Sequence, residues 1–207
     1  MTDRWILQAG MRVYPRAVWK LNPARKEIAL TFDDGPEPEV TPKVLDILAR
    51  HSLQATFFCL GSKAERFPSL VQQIREQGHA IGNHSYSHLN GFFTKLNTYT
   101  ADVEKAQATL HASLFRPPYG RIKPSQYKLL SENFLIVFWN VMSYDYHPEF
   151  SPEKCLNHCL QKLENGAVFV FHDTLQASRN LLTFLPEFVD IVTKQGYHTV
   201  TPGNLKK

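Results

Sequence analysis

Cysteine is scarce: there are three in a chain of 207 residues. So few exclude a disulfide-held fold, and an odd number leaves at least one thiol unpaired. Cys59, within the apolar run "ATFFCLG", reads as a small buried hydrophobe. Cys155 and Cys159 flank His158, a grouping that could hold metal. Their spacing of four instead suits the apolar face of an amphipathic helix, and no second pair with zinc-finger spacing follows. Long apolar runs are also missing, so no integral membrane segment is expected. In the opening "MTDRWILQAGMRVYPRAVWK", Arg12, Pro15 and Arg16 interrupt any apolar core of the secretory kind, and a cytoplasmic location is expected. Excess charge is absent as well. The formal net charge is +4, with Lys and Arg scattered rather than gathered in a stripe, which argues against a nucleic-acid partner. No repeat, low-complexity tract or Pro/Gly-rich linker divides the chain.

What is present is an ordinary globular composition, 43% hydrophobic and 20% charged, in a chain long enough for one large domain. That domain spans 1–207, with an N-terminal extension of about 1–25. Strand-like and helix-like segments alternate. Strands are expected at Glu27–Phe32, Gln54–Leu60, "HAIGNHS", "SLFRPPYG", "FLIVFWN", "AVFVFHD" and "YHTVTP". Helices are expected at Val44–His51, "AERFPSLVQQIREQG", "TYTADVEKAQATLHA" with Thr98 or Thr100 as caps, "KPSQYKLLSEN", "SPEKCLNHCLQKLENG" and "RNLLTFLPEFVDIVTKQG". Such alternation implies a parallel sheet with helices outside it, because right-handed crossovers require that arrangement. About seven units fit a barrel, although an open doubly wound sheet would read similarly.

In parallel β/α folds the reactive groups gather where strands end. The run "ALTFDDGPEP" ends on Asp33 and Asp34; later runs deliver His84 and His88, Arg116 and Tyr119, Asp145 and Tyr146, then His172 and Asp173. His84 and His88 share a face if Ser85–His88 forms one helical turn, and a carboxylate from another strand end would complete three ligands for a catalytic divalent ion. Of two adjacent acids diverging at a strand end, one can reach the metal while the other takes a proton from water. The same four residues, Asp-Asp-Gly-Pro, would also serve as a plain turn with Asx hydrogen bonds. Arg116, stiffened by Pro117 and Pro118, could hold a carboxylate ionised. His172, with Asp145 as partner, could stay protonated and act as general acid.

The ordered motifs "TFDDGP", "HSYSH", "RPPYG", an aromatic-flanked Asp and "VFH" resemble polysaccharide deacetylases with the NodB-type domain, carbohydrate esterase family four, from about Glu27 to Thr201. The resemblance implies an α/β fold, a distorted (β/α)7 barrel, and removal of N-acetyl groups from an N-acetylated sugar or glycan by way of a metal-bound water. It implies Asp33 as base, with Asp34, His84 and His88 holding a divalent metal, usually Zn2+, with Co2+ or Ni2+ able to substitute. Arg116 would tether Asp33, the Tyr119 backbone N–H would steady the oxyanion, and His172 tuned by Asp145 would protonate the amine. Val170 and Tyr146 would border the acetyl pocket. The family's Asp-x-x-Asp-Trp reads Met142 to Tyr146 here, and the Leu of its Leu-x-His is Val170. Two other readings stay open: a same-fold amidase acting on a small non-sugar amide, and a non-catalytic carbohydrate-binding descendant. Oligomeric state is not legible from the sequence.

Overall fold

Period-two alternation decides where each strand residue goes. In strand β1 (Glu27–Asp33), Ile28, Leu30 and Phe32 join a large core shared with the helices. Ala29 faces the other way, into a smaller interior cluster with Phe58, Leu114, Val137 and Val168. Thr31 and Asp33 lie on that same interior side by alternation. This computed structural model describes residues 10–204. The further strands are β2 (Thr56–Cys59), β3 (Ala80–Asn83), β4 (Leu114–Phe115), β5 (Leu135–Ile136), β6 (Val141–Met142), β7 (Val168–His172) and β8 (His198–Thr199). All pairings are parallel, in the order β5-β4-β3-β2-β1-β7-β6, with β8 beside the start of β1.

The ladder is not closed between β5 and β6. Part of the sequence-expected extension fills this seam. Val18 N–H donates to the Ile136 carbonyl (2.9 Å), Phe138 N–H donates to the Val18 carbonyl (2.8 Å), and Leu21 N–H reaches the Gly166 carbonyl (2.8 Å). Trp19 stacks on Phe138 with ring centroids 3.9 Å apart. Residues 14–21 thus belong to the barrel body, while 1–9 lie outside the described residues. The arrangement is the distorted (β/α)7 barrel anticipated from the motifs.

Helices α1 (Thr41–Arg50), α2 (Gly61–Arg66), α3 (Pro68–Glu76), α4 (Leu96–Leu110), α5 (Pro124–Leu130), α6 (Pro152–Gln161) and α7 (Leu175–Lys194) accompany the strands. The single helix expected over Ala64–Gly78 is two. Pro68 disfavours helical geometry at the residue before it, and Phe67 sits at φ −128°, ψ 58°. Thr98 and Thr100 are not caps but lie inside α4, where the Thr100 hydroxyl donates to the Leu96 carbonyl (3.1 Å). Helix α7 begins earlier than "RNLL" suggests because the Thr174 hydroxyl caps it, accepting from Ala177 N–H at 3.3 Å. The strand expected at "FLIVFWN" is shorter. Asn140 takes its place at the bend, its side-chain oxygen accepting from Val168 N–H (2.7 Å), before the chain re-enters the sheet as β6. Cys155 and Cys159 are buried on α6 as free thiols. No helix among the described residues is long and apolar enough to cross a membrane.

Candidate active site

Because β1 alternates, Thr31 and Asp33 point the same way, and both meet one cation. The Arg116 guanidinium, fully buried just past β4, donates from Nη1 to Asp33 Oδ1 (2.7 Å) and Thr31 Oγ1 (2.6 Å). Its Nε and Nη2 donate to the Val137 and Phe138 carbonyls, at 3.2 and 3.0 Å. Phe58 lies beneath it at 4.2 Å and Trp139 at 5.5 Å. Burial lowers the guanidinium pKa and the nearby Asp33 offsets only part of this, while the guanidinium's partner oxygens stand in for water. Asp33 is 4% exposed, so that a carboxylate with one oxygen committed to Arg116 keeps the other near the cavity.

Asp34 turns away from Asp33 by adopting φ +71°, in the left-handed region. The next residue allows this turn to lie flat. A Cβ on Gly35 would stand 2.1 Å from Asp173 Oδ2, so only glycine fits over that buried carboxyl. Asp173 accepts from the Thr41 hydroxyl (2.5 Å), which itself accepts from Glu37 N–H (2.7 Å). Burial pushes the Asp173 carboxyl up to about 7 against the lowering hydrogen bond from Thr41. The strand end that delivers His172 therefore also seats the turn that delivers Asp33 and Asp34.

The histidine pair does not sit on a helical turn. Ser85 and His88 have φ of +65° and +58°, and the segment is an irregular loop. Side chains hold it from three directions. Asn83 Oδ1 accepts from Ser85 N–H (2.8 Å), Ser85 Oγ accepts from His88 N–H (3.0 Å), and Asp102 Oδ2 on α4 accepts from Tyr86 and Ser87 N–H (both 3.0 Å). The outcome is convergence: Asp34 Oδ1 lies 3.3 Å from His84 Nε2 and 3.1 Å from His88 Nε2.

These residues fit a divalent metal. His84 Nδ1 lies 2.8 Å from the Arg116 carbonyl, which only accepts, so Nδ1 carries the hydrogen. In neutral His84 the Nε2 lone pair then faces a carboxylate oxygen, two acceptors aimed at one point. Asp34 Oδ1 is buried without a hydrogen-bond partner, and one donor atom from each of the three residues falls within a 4.8 Å group. One oxygen and two imidazole nitrogens, with the second nitrogen of His84 anchored to a carbonyl, form the donor set of a catalytic zinc-type site.

Across the cavity His172 Nδ1 donates to Asp145 Oδ1 (2.8 Å), and Asp145 Oδ2 also accepts His172 N–H (2.7 Å). Asn180 on α7 donates to the Asp145 carbonyl (2.9 Å), fixing that loop. Burial would lower the His172 pKa, but Asp145 raises it to about 9. Asp33 and His172 are register partners on adjacent strands.

A cavity of about 660 Å³ gathers Asp33, Asp34, His84, His88, Tyr119 and His172. Tyr119 sits at its rim with φ +60° and its ring 4.5 Å from His88; Tyr146 meets His172 edge-on at 4.8 Å. Val170 is not at the surface of this cavity. Two residues back along β7, it is one layer deeper and fully buried, and Met142, its partner in the ladder, lines the wall. Sequence reasoning missed Thr31, Trp139, Thr41 and Asp102. Thr31 alone left a signal, standing two residues before Asp33 on the same strand face.

The polysaccharide deacetylase family model matches residues 20–133, more than half of the chain. A Bacillus cereus peptidoglycan-N-acetylglucosamine deacetylase is 34% identical over 90% of this chain and 91% of its own length. A second protein of that name from the same organism is 41% identical over 72% of this chain; the chain spans 57% of that relative's length. Among solved structures, a peptidoglycan N-acetylglucosamine deacetylase in complex with 4-naphthalen-1-yl-N-oxidanyl-benzamide superposes with a TM-score of 0.89 at 34% identity, covering 95% of both chains. With the fold, the ordered motifs and the family model in agreement, this chain belongs to the polysaccharide deacetylase family.

Proposed function

We propose that the protein is a metal-dependent hydrolase that removes N-acetyl groups from a sugar of a peptidoglycan-type glycan. The observation that carries this reading is one cavity holding the Asp34, His84 and His88 donor set, an Arg116-held carboxylate beside it and a carboxylate-backed imidazole opposite. A bound divalent ion, Zn2+ by preference for this nitrogen-rich set, supplies a Lewis acid that polarises the amide carbonyl and acidifies water.

The remaining work falls to the chain's own residues. Asp33 accepts the proton of the attacking water; Arg116 occupies its other oxygen and fixes its orientation. The backbone N–H of Tyr119 donates to the developing oxyanion. His172, whose Nδ1 is committed to Asp145, hands the proton on Nε2 to the departing sugar amine. The relatives' peptidoglycan substrates support a cell-wall glycan over a small non-sugar amide.

Replacement Asp33→Asn is expected to cut acetate release by at least about a hundredfold, while metal content stays near one equivalent by mass spectrometry. Wild-type turnover in that variant would remove Asp33 from the role. Glycan binding without acetate release from the wild type, whichever divalent metal is added, would favour the non-catalytic reading.

A further inference from the structure

Next to the catalytic cavity lies a second one, of about 300 Å³, and the two share Tyr119, Trp139 and Met142. The two adjoin at these three side chains. The second cavity offers aromatic surface, Trp19, Trp139 and Tyr144, with Lys162 at its far side. No Asp or Glu lines it. Lys162 is exposed, and no carboxylate among the described residues lies within ion-pair distance of it. Met142, which lines both cavities, brings no charge to the boundary between them.

We propose that this second cavity is a subsite for the sugar next to the one being deacetylated, and that it selects a sugar bearing a free carboxylate. Aromatic faces suit the apolar face of a pyranose ring, while a lone ammonium in an acid-free wall suits a carboxylate. The inference rests on the glycan-deacetylase reading and names the substrate class more narrowly. The acid could belong to a lactyl ether or to a uronic acid; both present the same group to Lys162.

The test uses three tetrasaccharides in which every other sugar is N-acetylglucosamine. The alternate sugar is N-acetylglucosamine, its 3-O-lactyl ether, or that ether with the carboxylate blocked as a methyl amide. A fourth glycan replaces the lactyl ether with a uronic acid and distinguishes the two sources. Binding is measured by calorimetry on the Asp33→Asn protein, and turnover on the wild type. The free-acid glycans are expected to bind about fivefold more tightly than the blocked one, with the difference shrinking as salt rises. Lys162→Gln should abolish that preference through KM, leave kcat on the neutral glycan unchanged, and be rescued by Lys162→Arg. A lysine that only complements the dipole at the end of α6 would leave both glycans with equal KM.

Equal affinity for the free and blocked acids, or an equal KM rise on the neutral glycan in Lys162→Gln, would overturn the subsite. Absence of turnover on every glycan would count against the deacetylase reading, while the calorimetric comparison would still decide the subsite.

Discussion

At the scale of single residues, the assignments turn on which atom faces which. His172 is the clearest case, because one carboxylate sets both its orientation and its charge. With a pKa of about 9, raised by Asp145 against burial, His172 is protonated through neutral pH and gives up that proton state in mild alkali. The rate constant kcat should therefore be flat up to roughly pH 8 and fall as pH rises through about 9. Asp145→Asn should bring that falling limb down toward the ordinary histidine value of about 6.5, read from a pH–rate profile. An unmoved limb would detach the proton donor from this pair. Stability follows the same sign. The pair's contribution is complete below the unfolded value and is lost as pH passes the folded one.

Residue types were largely legible in the sequence, because carboxylates, imidazoles and a guanidinium stood at successive strand ends. Their geometry was less so. Ser85–His88 is a loop, not the helical turn that would have put both histidines on one face, since its shape depends on Asn83 and on Asp102 from a distant helix. Val170, expected from motif position to border the acyl pocket, lies on the His172 face of β7, two residues back and fully buried.

At the scale of elements, the turn between β1 and α1 is the most tightly specified piece. Gly35 lies against the Asp173 carboxyl, so Gly35→Ala must displace either the turn or the end of β7. We expect a loss on the order of 3 kcal/mol, a fall in Tm of about 6–12 °C for a chain of this size, and weakened metal binding. Asp173→Ala in the same protein should restore part of the Tm, because the two changes share one contact. Full additivity in calorimetry would show that the contact does not matter. Long elements with clean periodicity, such as β1, β7 and α7, were readable from their sequence, and the two-residue strands β4, β5 and β8 lie inside longer expected runs. β6 escaped because Val141–Met142 is too short for any periodic signal, and its existence depends on a neighbour more than twenty residues away. The break at Phe67 was readable in principle from Pro68, a local steric effect.

At the scale of the whole molecule, the metal site joins two separate stretches of chain. Asp34 follows β1, while His84 and His88 follow β3, and β2 stands between those two strands. An ion bound only to the folded state at about a thousand times its dissociation constant adds about 4 kcal/mol, or roughly 10 °C in Tm. Chelated protein should therefore melt lower, and adding Zn2+ should restore the difference in differential scanning calorimetry. His84→Ala and His88→Ala should each fold yet show no such shift, since their side chains extend from a loop. A zinc-induced shift that survives both substitutions would place the ion elsewhere.

The region recognised by the family model begins at residue 20, one position after Trp19. A gene trimmed to that boundary would still encode the metal donors, the base and the acid. It would lack the indole that covers Phe138 and the Val18 backbone that zips the barrel's unpaired edges. Such a shortened chain would open the seam beside Arg116, whose Nε and Nη2 donate to the Val137 and Phe138 carbonyls, and should melt at a lower temperature by calorimetry than the full chain.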